Sequence, residues 1–329
     1  MKAWLLKKAG CALEIHEIAI PQPKEEEILI EVDTCGICRT DLHILDGELN
    51  NPKLPLIMGH QIVGIVVDRG KNVSHLKVGD RVGVPWLARS CGKCPYCVDG
   101  QENLCDNALY TGYTVDGGFS EYCVANAHFA FPLPSTYSNS DVAPLLCAGM
   151  IGYRSLRLTL GAKKIGFYGF GVAAHILIQV INYQNGKVYA FTRKGNKASQ
   201  EFALSMGACF AADSDVLPPI KLDAAIIFAP VGALYPQALK AVKKGGIVVS
   251  ADIHMSDIPQ FPYSLLWEER VMRSVSNLTR RDGEEFLSLA STIPIKTKTT
   301  LYPFKDLEKA LTDQREGKIE GAKVLQIKN

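Results

Sequence analysis

The chain has 329 residues, of which 47% are hydrophobic and 21% are charged, so it can bury a sizeable core and is long enough for about two domains. Lys and Arg number 36 against 34 for Asp and Glu, and the net charge of +2 argues against nucleic acid or an anionic membrane as the main partner. No run approaches the ~18 apolar residues of a membrane span, and the N-terminus turns polar too soon for a signal peptide, so we expect a cytoplasmic protein.

The sequence pattern predicts a β-rich region from residue 1 to about residue 147. Short apolar runs alternate with glycine and proline turns, which is typical of strands. The predicted strands include residues 28–32, 62–67, 81–84 and 119–124. We expect the first of them to break at Gly36, within a stretch that is rich in chemically active side chains.

From about residue 149 the pattern changes to strands that alternate with helices. The predicted helices cover residues 150–160, 172–184, 197–206 and 234–243, and the predicted strands cover 163–168, 187–191, 224–228 and 246–250. This alternation predicts a doubly wound parallel sheet. After about residue 276 the pattern predicts helices at 283–290 and 306–316 and a final strand at 323–327.

Four of the ten cysteines form a cluster with the spacing C-x2-C-x2-C-x7-C, at Cys91, Cys94, Cys97 and Cys105. Thiols of a cytoplasmic protein stay reduced, which disfavours disulfides here. Four thiolates from one loop match a closed tetrahedral zinc site, although an iron–sulfur cluster uses the same ligands. Because sulfur fills every position, such a metal would be structural and would tie down the loop by metal-coupled folding.

Three further candidate ligands are dispersed along the chain. Cys38 lies in the stretch from Thr34 to His43, His60 stands at the start of an apolar strand, and Cys147 lies where the pattern changes. A single histidine beside a strand is more often a core residue, and an isolated cysteine is most often a small buried side chain. Spacing by itself does not join these three positions into one site.

Several motifs follow one another over nearly all of the chain. They are Cys35-Gly36-Ile37-Cys38-Arg39-Thr40-Asp41, Gly59-His60-Gln61, the four-cysteine cluster, Asp116-Gly117-Gly118-Phe119-Ser120-Glu121-Tyr122, Cys147-Ala148-Gly149 and a glycine-rich turn. With these motifs in this order, the chain resembles the zinc-dependent alcohol dehydrogenases of the medium-chain dehydrogenase/reductase superfamily, in particular their bacterial and cinnamyl-type branch. The resemblance implies an α/β fold, with a β-rich GroES-like catalytic domain at 1–148 and 277–329 and a doubly wound Rossmann domain at 149–276.

By this resemblance, Cys38, His60 and Cys147 bind a catalytic zinc ion whose fourth position stays open for water or substrate. Asp41 would orient the His60 ring. Cys35 matches a family cysteine that is usually not a ligand, and we assign it a structural role. With the four-cysteine cluster, the chain would hold two zinc ions.

The resemblance also assigns roles around Cys38. Thr40 would be the first hydroxyl of a proton relay, and His43 would continue the relay near the coenzyme ribose, against the alternative of a surface histidine. Arg39 would grip the coenzyme pyrophosphate, because a guanidinium binds phosphate oxygens as a fork. Trp86 would narrow the alcohol pocket in favour of primary alcohols and aldehydes, against the alternative of a core aromatic.

The stretch from Lys164 to Gly171 predicts a dinucleotide-binding turn between a strand and a helix. We interpret it as G-x-x-G-x-G, with Gly166, Gly169 and Gly171 as coenzyme-binding residues. Tyr168 then stands where the usual motif has its second glycine, so Gly169 would have to supply the room for the pyrophosphate.

The next predicted strand ends in Thr192, Arg193 and Lys194, without an acidic residue to bind the ribose hydroxyls of NAD. A hydroxyl and two cations suit the 2′-phosphate of NADP, and a solvated surface turn is the alternative. We therefore favour NADP(H) over NAD(H) as coenzyme.

Two residues depart from the family pattern, Gln61 where relatives carry Glu and Ile151 where they often carry Thr, and neither removes a zinc ligand. The leading prediction is a zinc-dependent alcohol dehydrogenase or aldehyde reductase that acts with NADP(H) on small primary alcohols or aldehydes. One alternative is an NAD-dependent polyol or other secondary-alcohol dehydrogenase. A non-enzymatic alternative is a nucleotide-sensing scaffold with the structural zinc alone. We expect a homodimer or homotetramer, in which an edge strand at 270–275 pairs between subunits.

Overall fold

The structure is a computed structural model that describes residues 1–317 and 321–328. The chain divides into two compact units. Unit 1 consists of Met1–Met150, Asn277–Thr292 and Lys296–Asn329, and unit 2 consists of Ile151–Ser276 and Ile293–Ile295. Among the described residues, every helix is too short or too polar to cross a membrane.

The first part of unit 1 is made of short strands with few helices. In chain order its elements are β1 (Lys2–Leu6), β2 (Glu14–Glu17), β3 (Glu27–Ile37), α1 (Arg39–Leu45), β4 (Leu56–Ile57), β5 (Ile62–Arg69), β6 (Arg81–Val84), β7 (Leu87–Arg89), α2 (Pro95–Val98), β8 (Leu109–Tyr110), β9 (Tyr122–Asn126), β10 (Phe131–Pro132) and α3 (Asn139–Val142).

The middle of the chain alternates helices and strands, and the last part returns to unit 1. These elements are α4 (Ala148–Arg157), β11 (Lys164–Tyr168), α5 (Val172–Tyr183), β12 (Lys187–Thr192), α6 (Lys197–Ser205), β13 (Phe210–Asp213), β14 (Leu222–Ile227), α7 (Leu234–Ala241), β15 (Val242–Ser250), β16 (Val271–Ser274), α8 (Arg280–Thr292), β17 (Thr299–Pro303), α9 (Leu307–Glu316) and β18 (Ala322–Gln326).

The main sheet of unit 1 is built around β3. Its strand order is β10-β6-β5-β3-β18-β17, and β9 also pairs with β3. Strand β3 is antiparallel to each of β5, β9 and β18. Eight of its eleven residues are buried, among them Ile28, Leu29, Ile30 and Val32, as expected for the central strand of a sheet.

The predicted break of this strand at Gly36 is wrong, since β3 continues to Ile37. The Gly36 N–H donates to the Gln61 carbonyl at 3.0 Å, and Val324 of β18 pairs with Gly36 on the other side. A Cβ at this position would lie 2.6 Å from Oε1 of Gln61. Glycine here therefore marks a close approach of a neighbouring side chain inside a strand, which the sequence pattern does not distinguish from a strand end.

Unit 2 contains a six-stranded sheet with the order β13-β12-β11-β14-β15-β16. All of its pairs are parallel. This is the strand order of a Rossmann sheet. The chain adds β12 and β13 on one side of β11 and then returns to add β14, β15 and β16 on the other side. Strand β13 was not predicted, because Phe-Ala-Ala-Asp is short, only half-buried and poor in strand-forming residues.

The loop before β5 is held by close backbone contacts. Gly59 adopts a positive φ of 93°, and its carbonyl accepts the Gly118 N–H at 2.9 Å. A Cβ on Gly117 would lie 2.0 Å from that same Gly59 carbonyl oxygen. Two backbone segments therefore meet immediately before His60, and only glycine fits between them.

We expect Gly117→Ala to lower the thermal midpoint by about 5 °C, because the added methyl would push a backbone carbonyl and overpacking costs roughly 1–3 kcal/mol. Gly171→Ala is the matched control, because a Cβ there meets no atom within 4 Å. Differential scanning calorimetry measures both midpoints. Equal midpoints for the two variants would contradict the proposed close packing.

Candidate functional site

Cys38 is fixed at the N-terminus of α1. Its backbone is extended, with φ of −132°, and its Sγ accepts the Thr40 N–H at 3.2 Å. In return the Asp41 carboxylate accepts the Cys38 N–H at 2.8 Å, which completes a capping box. A thiol that caps a helix lies in the positive field of the helix N-terminus, which favours the thiolate.

His60 lies against Cys38 and is fully buried. Its Nε2 is 3.0 Å from the Cys38 Sγ, and its Nδ1 is 3.2 Å from Oδ1 of Asp41. The Asp41 carboxylate thus faces the ring nitrogen that points away from the thiol. A proton on Nδ1 is favoured there, which leaves the Nε2 lone pair on the Cys38 side.

Cys147 completes the group. It follows the short 3₁₀ turn Ala143–Leu146 and comes just before α4. The ligand atoms of Cys38, His60 and Cys147 all lie within 4.8 Å of one another. Two thiols and one imidazole, brought together from distant parts of unit 1, are a donor set suited to zinc with one position left open.

The charges of this group reinforce one another. Burial alone would raise the pKa of Cys38, but hydrogen bonds from Cys147 and the charge of His60 hold that pKa well below its ordinary value. Burial alone would lower the pKa of His60, yet the Cys38 and Asp41 charges hold it well above its ordinary value. Without a metal, these directions favour a thiolate on Cys38 beside a protonated His60 ring. A divalent cation at Nε2 would take the place of the second ring proton and leave the proton on Nδ1.

Trp86 forms an aromatic wall beside His60. Its ring meets the His60 ring edge-on at 4.9 Å, and it stacks on Tyr110 at 5.4 Å and on Tyr113 at 5.6 Å. Only 7% of Trp86 is exposed, and it belongs to the hydrophobic core of unit 1. Trp86 is thus a core aromatic that also borders the histidine of the candidate metal site.

The remaining predicted residues of α1 differ in exposure. Arg39 is exposed at the first helical position, and Thr40 is half-buried. His43 is 4% exposed, so the alternative of a surface histidine is wrong. Its Nδ1 is paired with the carboxylate of Glu48, a residue that no sequence motif had indicated.

The four-cysteine cluster forms a second candidate metal centre. The sulfur atoms of Cys91, Cys94, Cys97 and Cys105 lie within 4.8 Å of one another. The backbone N–H groups of Lys93 and Cys94 hydrogen-bond to the Cys91 sulfur and lower the pKa of Cys91 to about 6. Backbone groups thus favour a thiolate at neutral pH, which is the form that binds metal.

The loop that carries these cysteines is anchored to α8. The buried Glu102 carboxylate accepts the Arg280 N–H at 2.9 Å and its Nε at 3.2 Å. The Arg280 guanidinium also lies over the Phe129 ring at 5.3 Å. Protein contacts therefore fix one end of the loop. A metal bound by the four sulfur atoms would fix the other end.

The glycine-rich turn differs from the predicted one. Strand β11 ends at Tyr168, so Gly166 lies inside the strand, where a Cβ would come 2.8 Å from Leu222. The turn itself is Gly169-Phe170-Gly171, and it leads into α5 at Val172. The motif is therefore G-x-G-x-x-A from Gly169 to Ala174, and the G-x-x-G-x-G interpretation that included Gly166 is wrong.

Each position of this shifted motif fits its usual role. Gly169 has a positive φ of 98°, as a tight turn requires. Gly171 begins α5 with nothing within 4 Å of its Cβ position, which leaves open space at a helix N-terminus. Ala174 is fully buried. Tyr168 does not obstruct the turn, because its side chain is buried and stacks on Phe191 at 4.6 Å.

At the end of β12 the predicted residues divide into two kinds. Arg193 and Lys194 are exposed. Thr192 is 3% exposed, and its Oγ1 accepts a hydrogen bond from Gln200 at 3.2 Å. The two cations are accessible to an anion, whereas the Thr192 hydroxyl is already engaged inside the unit.

We expect the wild-type protein to hold two zinc ions per chain, one for each ligand group. Cys38→Ser removes a thiolate from the open group, and this variant should lose one zinc ion while it stays folded. Cys94→Ser should lose the other zinc ion and leave the loop around it sensitive to protease, because that metal closes the loop. Zinc content by elemental analysis and limited proteolysis measure these outcomes.

Cys209→Ser is the control, because Cys209 is exposed and lies outside both groups. It should retain both zinc ions. A Cys38→Ser protein with two zinc ions per chain would contradict the assignment of the open site.

Comparison with known proteins agrees with this geometry. Residues 24–135 match the family model described as alcohol dehydrogenase GroES-like domain. The chain is 44% identical to "Probable alcohol dehydrogenase AdhA" of Mycobacterium tuberculosis, over 99% of this chain and 97% of the relative. It is 35% identical to an alcohol dehydrogenase of Geobacillus stearothermophilus, over 100% of this chain and 99% of the relative.

Solved structures show the same fold over the whole chain. A cinnamyl alcohol dehydrogenase from Sorghum bicolor superimposes with a TM-score of 0.90 at 24% identity, covering 99% of this chain and 97% of that one. CAD from Helicobacter pylori, complexed with NADP(H), superimposes with a TM-score of 0.86 at 25% identity, with the same coverage of both chains. The predicted fold class, a Rossmann domain with a GroES-like catalytic domain, is confirmed. The chain belongs to the zinc-dependent alcohol dehydrogenases of the medium-chain dehydrogenase/reductase superfamily.

Proposed function

We propose that the protein interconverts a small primary alcohol and its aldehyde by hydride transfer to and from NADP(H) at a zinc site. The observation that carries the proposal is the convergence of Cys38, His60 and Cys147 in one group with two thiols and one imidazole. A zinc ion held by these residues would lower the pKa of a bound alcohol and polarise a bound aldehyde carbonyl. A scaffold that needs only structural zinc would have no use for this second group.

Asp41 is proposed to keep His60 in the form that binds metal. It faces Nδ1 at 3.2 Å, so that a proton is held there and Nε2 stays free for the metal. Asp41 also caps the helix that begins next to Cys38. One carboxylate thereby orients two of the three proposed ligands.

Thr40 and His43 are proposed to carry the alcohol proton away from the site. They are three residues apart on α1 and so lie on the same face of the helix. Thr40 is half-buried next to Cys38, and His43 is buried with its Nδ1 paired to Glu48. This pairing supports a relay, because a fixed ring presents its other nitrogen in one direction.

The coenzyme is proposed to bind at the turn from Gly169 to Gly171, with the pyrophosphate at the N-terminus of α5. Arg39 is exposed, and the family resemblance supports its proposed role as a guanidinium that grips coenzyme phosphate. Arg193 and Lys194 would bind the 2′-phosphate of NADP, in place of an acidic residue that would bind ribose hydroxyls. The Helicobacter pylori structure, complexed with NADP(H), supports this choice by analogy.

Primary alcohols and aldehydes are the proposed substrates because Trp86 packs edge-on against His60 and leaves less room beside it. A polyol or other secondary alcohol with NAD is the second candidate, which the same zinc chemistry allows.

We also propose that the protein is cytoplasmic and forms a homodimer or homotetramer. The proposed contact between subunits is through β16, which is an edge strand with Val271 exposed. Size-exclusion chromatography with light scattering measures the number of subunits.

A panel of alcohols, aldehydes and ketones with NADP(H) under zinc-replete conditions tests the substrate. We expect kcat/KM for primary alcohols and aldehydes to exceed that for secondary alcohols and ketones of equal carbon number by about tenfold, because an added substituent in a narrow pocket costs roughly 1–3 kcal/mol. Cys38→Ser is the control and should be inactive throughout. A clear preference for secondary polyols would overturn the substrate assignment.

Arg193→Ala tests the coenzyme. We expect kcat/KM for NADPH to fall about 10- to 100-fold, because a charge-assisted contact to phosphate is worth roughly 1.5–3 kcal/mol. The value for NADH should change less than about twofold, since NADH has no 2′-phosphate. Lys187→Ala removes an exposed cation from the opposite end of β12 and should change neither value. A wild-type preference for NADH, or an unchanged NADPH value in the variant, would contradict the NADP assignment.

A further inference from the structure

The end of β12 is connected to the neighbouring strand by an acidic residue that the coenzyme-binding motif does not include. Asp213 is the last residue of β13 and pairs in register with Thr192. Its Oδ1 accepts the Gly195 N–H at 3.0 Å and the Gln200 Nε2–H at 2.7 Å. An acid is therefore present at this end of the sheet, but its hydrogen bonds go to the protein.

Gln200 on α6 joins this carboxylate to β12. Its Nε2 donates to Asp213 and also to the Thr192 hydroxyl at 3.2 Å. Its Oε1 accepts from the Lys197 Nζ at 3.2 Å. Only 6% of Gln200 is exposed, so the amide lies inside the unit with its hydrogen-bonding groups satisfied. Side-chain networks of this kind rigidify the backbone that they contact.

This network contacts the backbone of the turn that runs from Arg193 to Asn196, at Gly195. The Arg193 carbonyl accepts the Asn196 N–H at 3.0 Å, and Gly195 has a positive φ of 76°. This is the pattern of a type II turn, which requires a positive φ at its third residue. Asn196 then caps α6 by accepting the Ser199 N–H at 3.1 Å. Asp213 therefore holds the turn at its centre, through the Gly195 amide.

The first two residues of this turn are Arg193 and Lys194, both exposed. Lys194 approaches Asp215 at 3.4 Å, but both side chains are largely solvated and such pairs contribute little. A flexible turn would have to be ordered when it bound a phosphate, which reduces affinity. A turn that is already held presents both cations from one backbone conformation.

We propose that Asp213 and Gln200 are positioning residues for the 2′-phosphate of NADP(H), an inference that rests on the coenzyme assignment of the proposed function. Asp213 acts through the Gly195 amide, and Gln200 holds the Asp213 carboxylate in place. Together they keep Arg193 and Lys194 where a phosphate dianion can bind between them. The charge of Asp213 by itself would repel that dianion. Positioning and charge therefore predict opposite effects when Asp213 is removed, and this makes the inference testable.

The test measures binding to the zinc-loaded full chain by isothermal titration calorimetry, without turnover. The probes are adenosine 2′,5′-bisphosphate, which carries the 2′-phosphate, and 5′-AMP, which lacks it. Asp213→Ala should weaken the bisphosphate about tenfold, since the loss of a hydrogen bond to a charged acceptor has about that effect, and should leave 5′-AMP within about twofold. Asp213→Asn keeps the acceptor oxygen and should bind the bisphosphate at least as well as the wild type.

Asp215→Ala is the matched control, because it removes the same charge two positions away, and its contact with the turn is a largely solvated pair with the Lys194 side chain. It should not weaken either probe. If Asp213→Ala does not fold, Gln200→Met, which keeps the length and removes the hydrogen bonds, should show the same selective loss.

The outcomes separate the two proposals. A wild-type protein that binds both probes equally overturns the NADP assignment, and the positioning role with it. A wild-type protein that prefers the bisphosphate and loses this preference in Arg193→Ala supports the assignment. The positioning role alone then fails if Asp213→Ala or Gln200→Met binds the bisphosphate as well as the wild type, if both probes weaken equally, or if Asp213→Asn is as weak as Asp213→Ala.

Discussion

The carboxylate of Asp41 is the interaction on which the candidate catalytic site depends. One oxygen accepts the Cys38 N–H and starts α1, and the other faces Nδ1 of His60 at 3.2 Å. Burial raises the pKa of Asp41, while the neighbouring His60 charge opposes that effect. A fully buried carboxylate is stable only with such partners. Asp41 therefore connects the start of α1 to the orientation of the His60 ring.

The sheet of unit 1 explains why ligands separated by 22 residues meet. Strands β3 and β5 are antiparallel, and Cys35 pairs with Ile62. The chain that leaves β3 and the chain that enters β5 therefore lie at the same end of the pair, where Cys38 and His60 stand. Glycines at positions 59 and 117 let two backbone segments meet before His60, and this close packing leaves the histidine no exposed surface.

The two candidate metal centres differ in how they depend on the fold. The four cysteines come from one short loop, so their spacing alone brings the thiols together. The open group needs the β3–β5 register, the capped start of α1 and the turn that ends at Cys147. In unit 2 the end of the sheet at β12 and β13 likewise combines residues of a turn, a helix and a strand, since Gly195, Gln200 and Asp213 meet only in the folded unit.

Much of the fold follows from the sequence. The alternation of strands and helices after residue 149 predicts the parallel sheet, because buried parallel strands and amphipathic helices have different periods. Between residues 149 and 276 the elements were placed within a few residues, except the short strand β13. The four-cysteine cluster was also evident from spacing. The joining of Cys38, His60 and Cys147 rested on family resemblance, because no local pattern connects them.

Other features were decided only by the tertiary structure. Gly36 was predicted to end a strand and Gly166 to bind the coenzyme, yet both lie inside strands, where a neighbouring side chain occupies the space of a Cβ. Tyr168 looked like an obstruction, but its ring is directed into the core. Asp213 was not recognised beside the turn from Arg193 to Asn196, because it comes from the adjacent strand. The sequence by itself thus determined the order of elements, the fold class and the chemical groups that were available. The partner of each group was decided by strand register and close packing, which bring together residues that are distant in the chain.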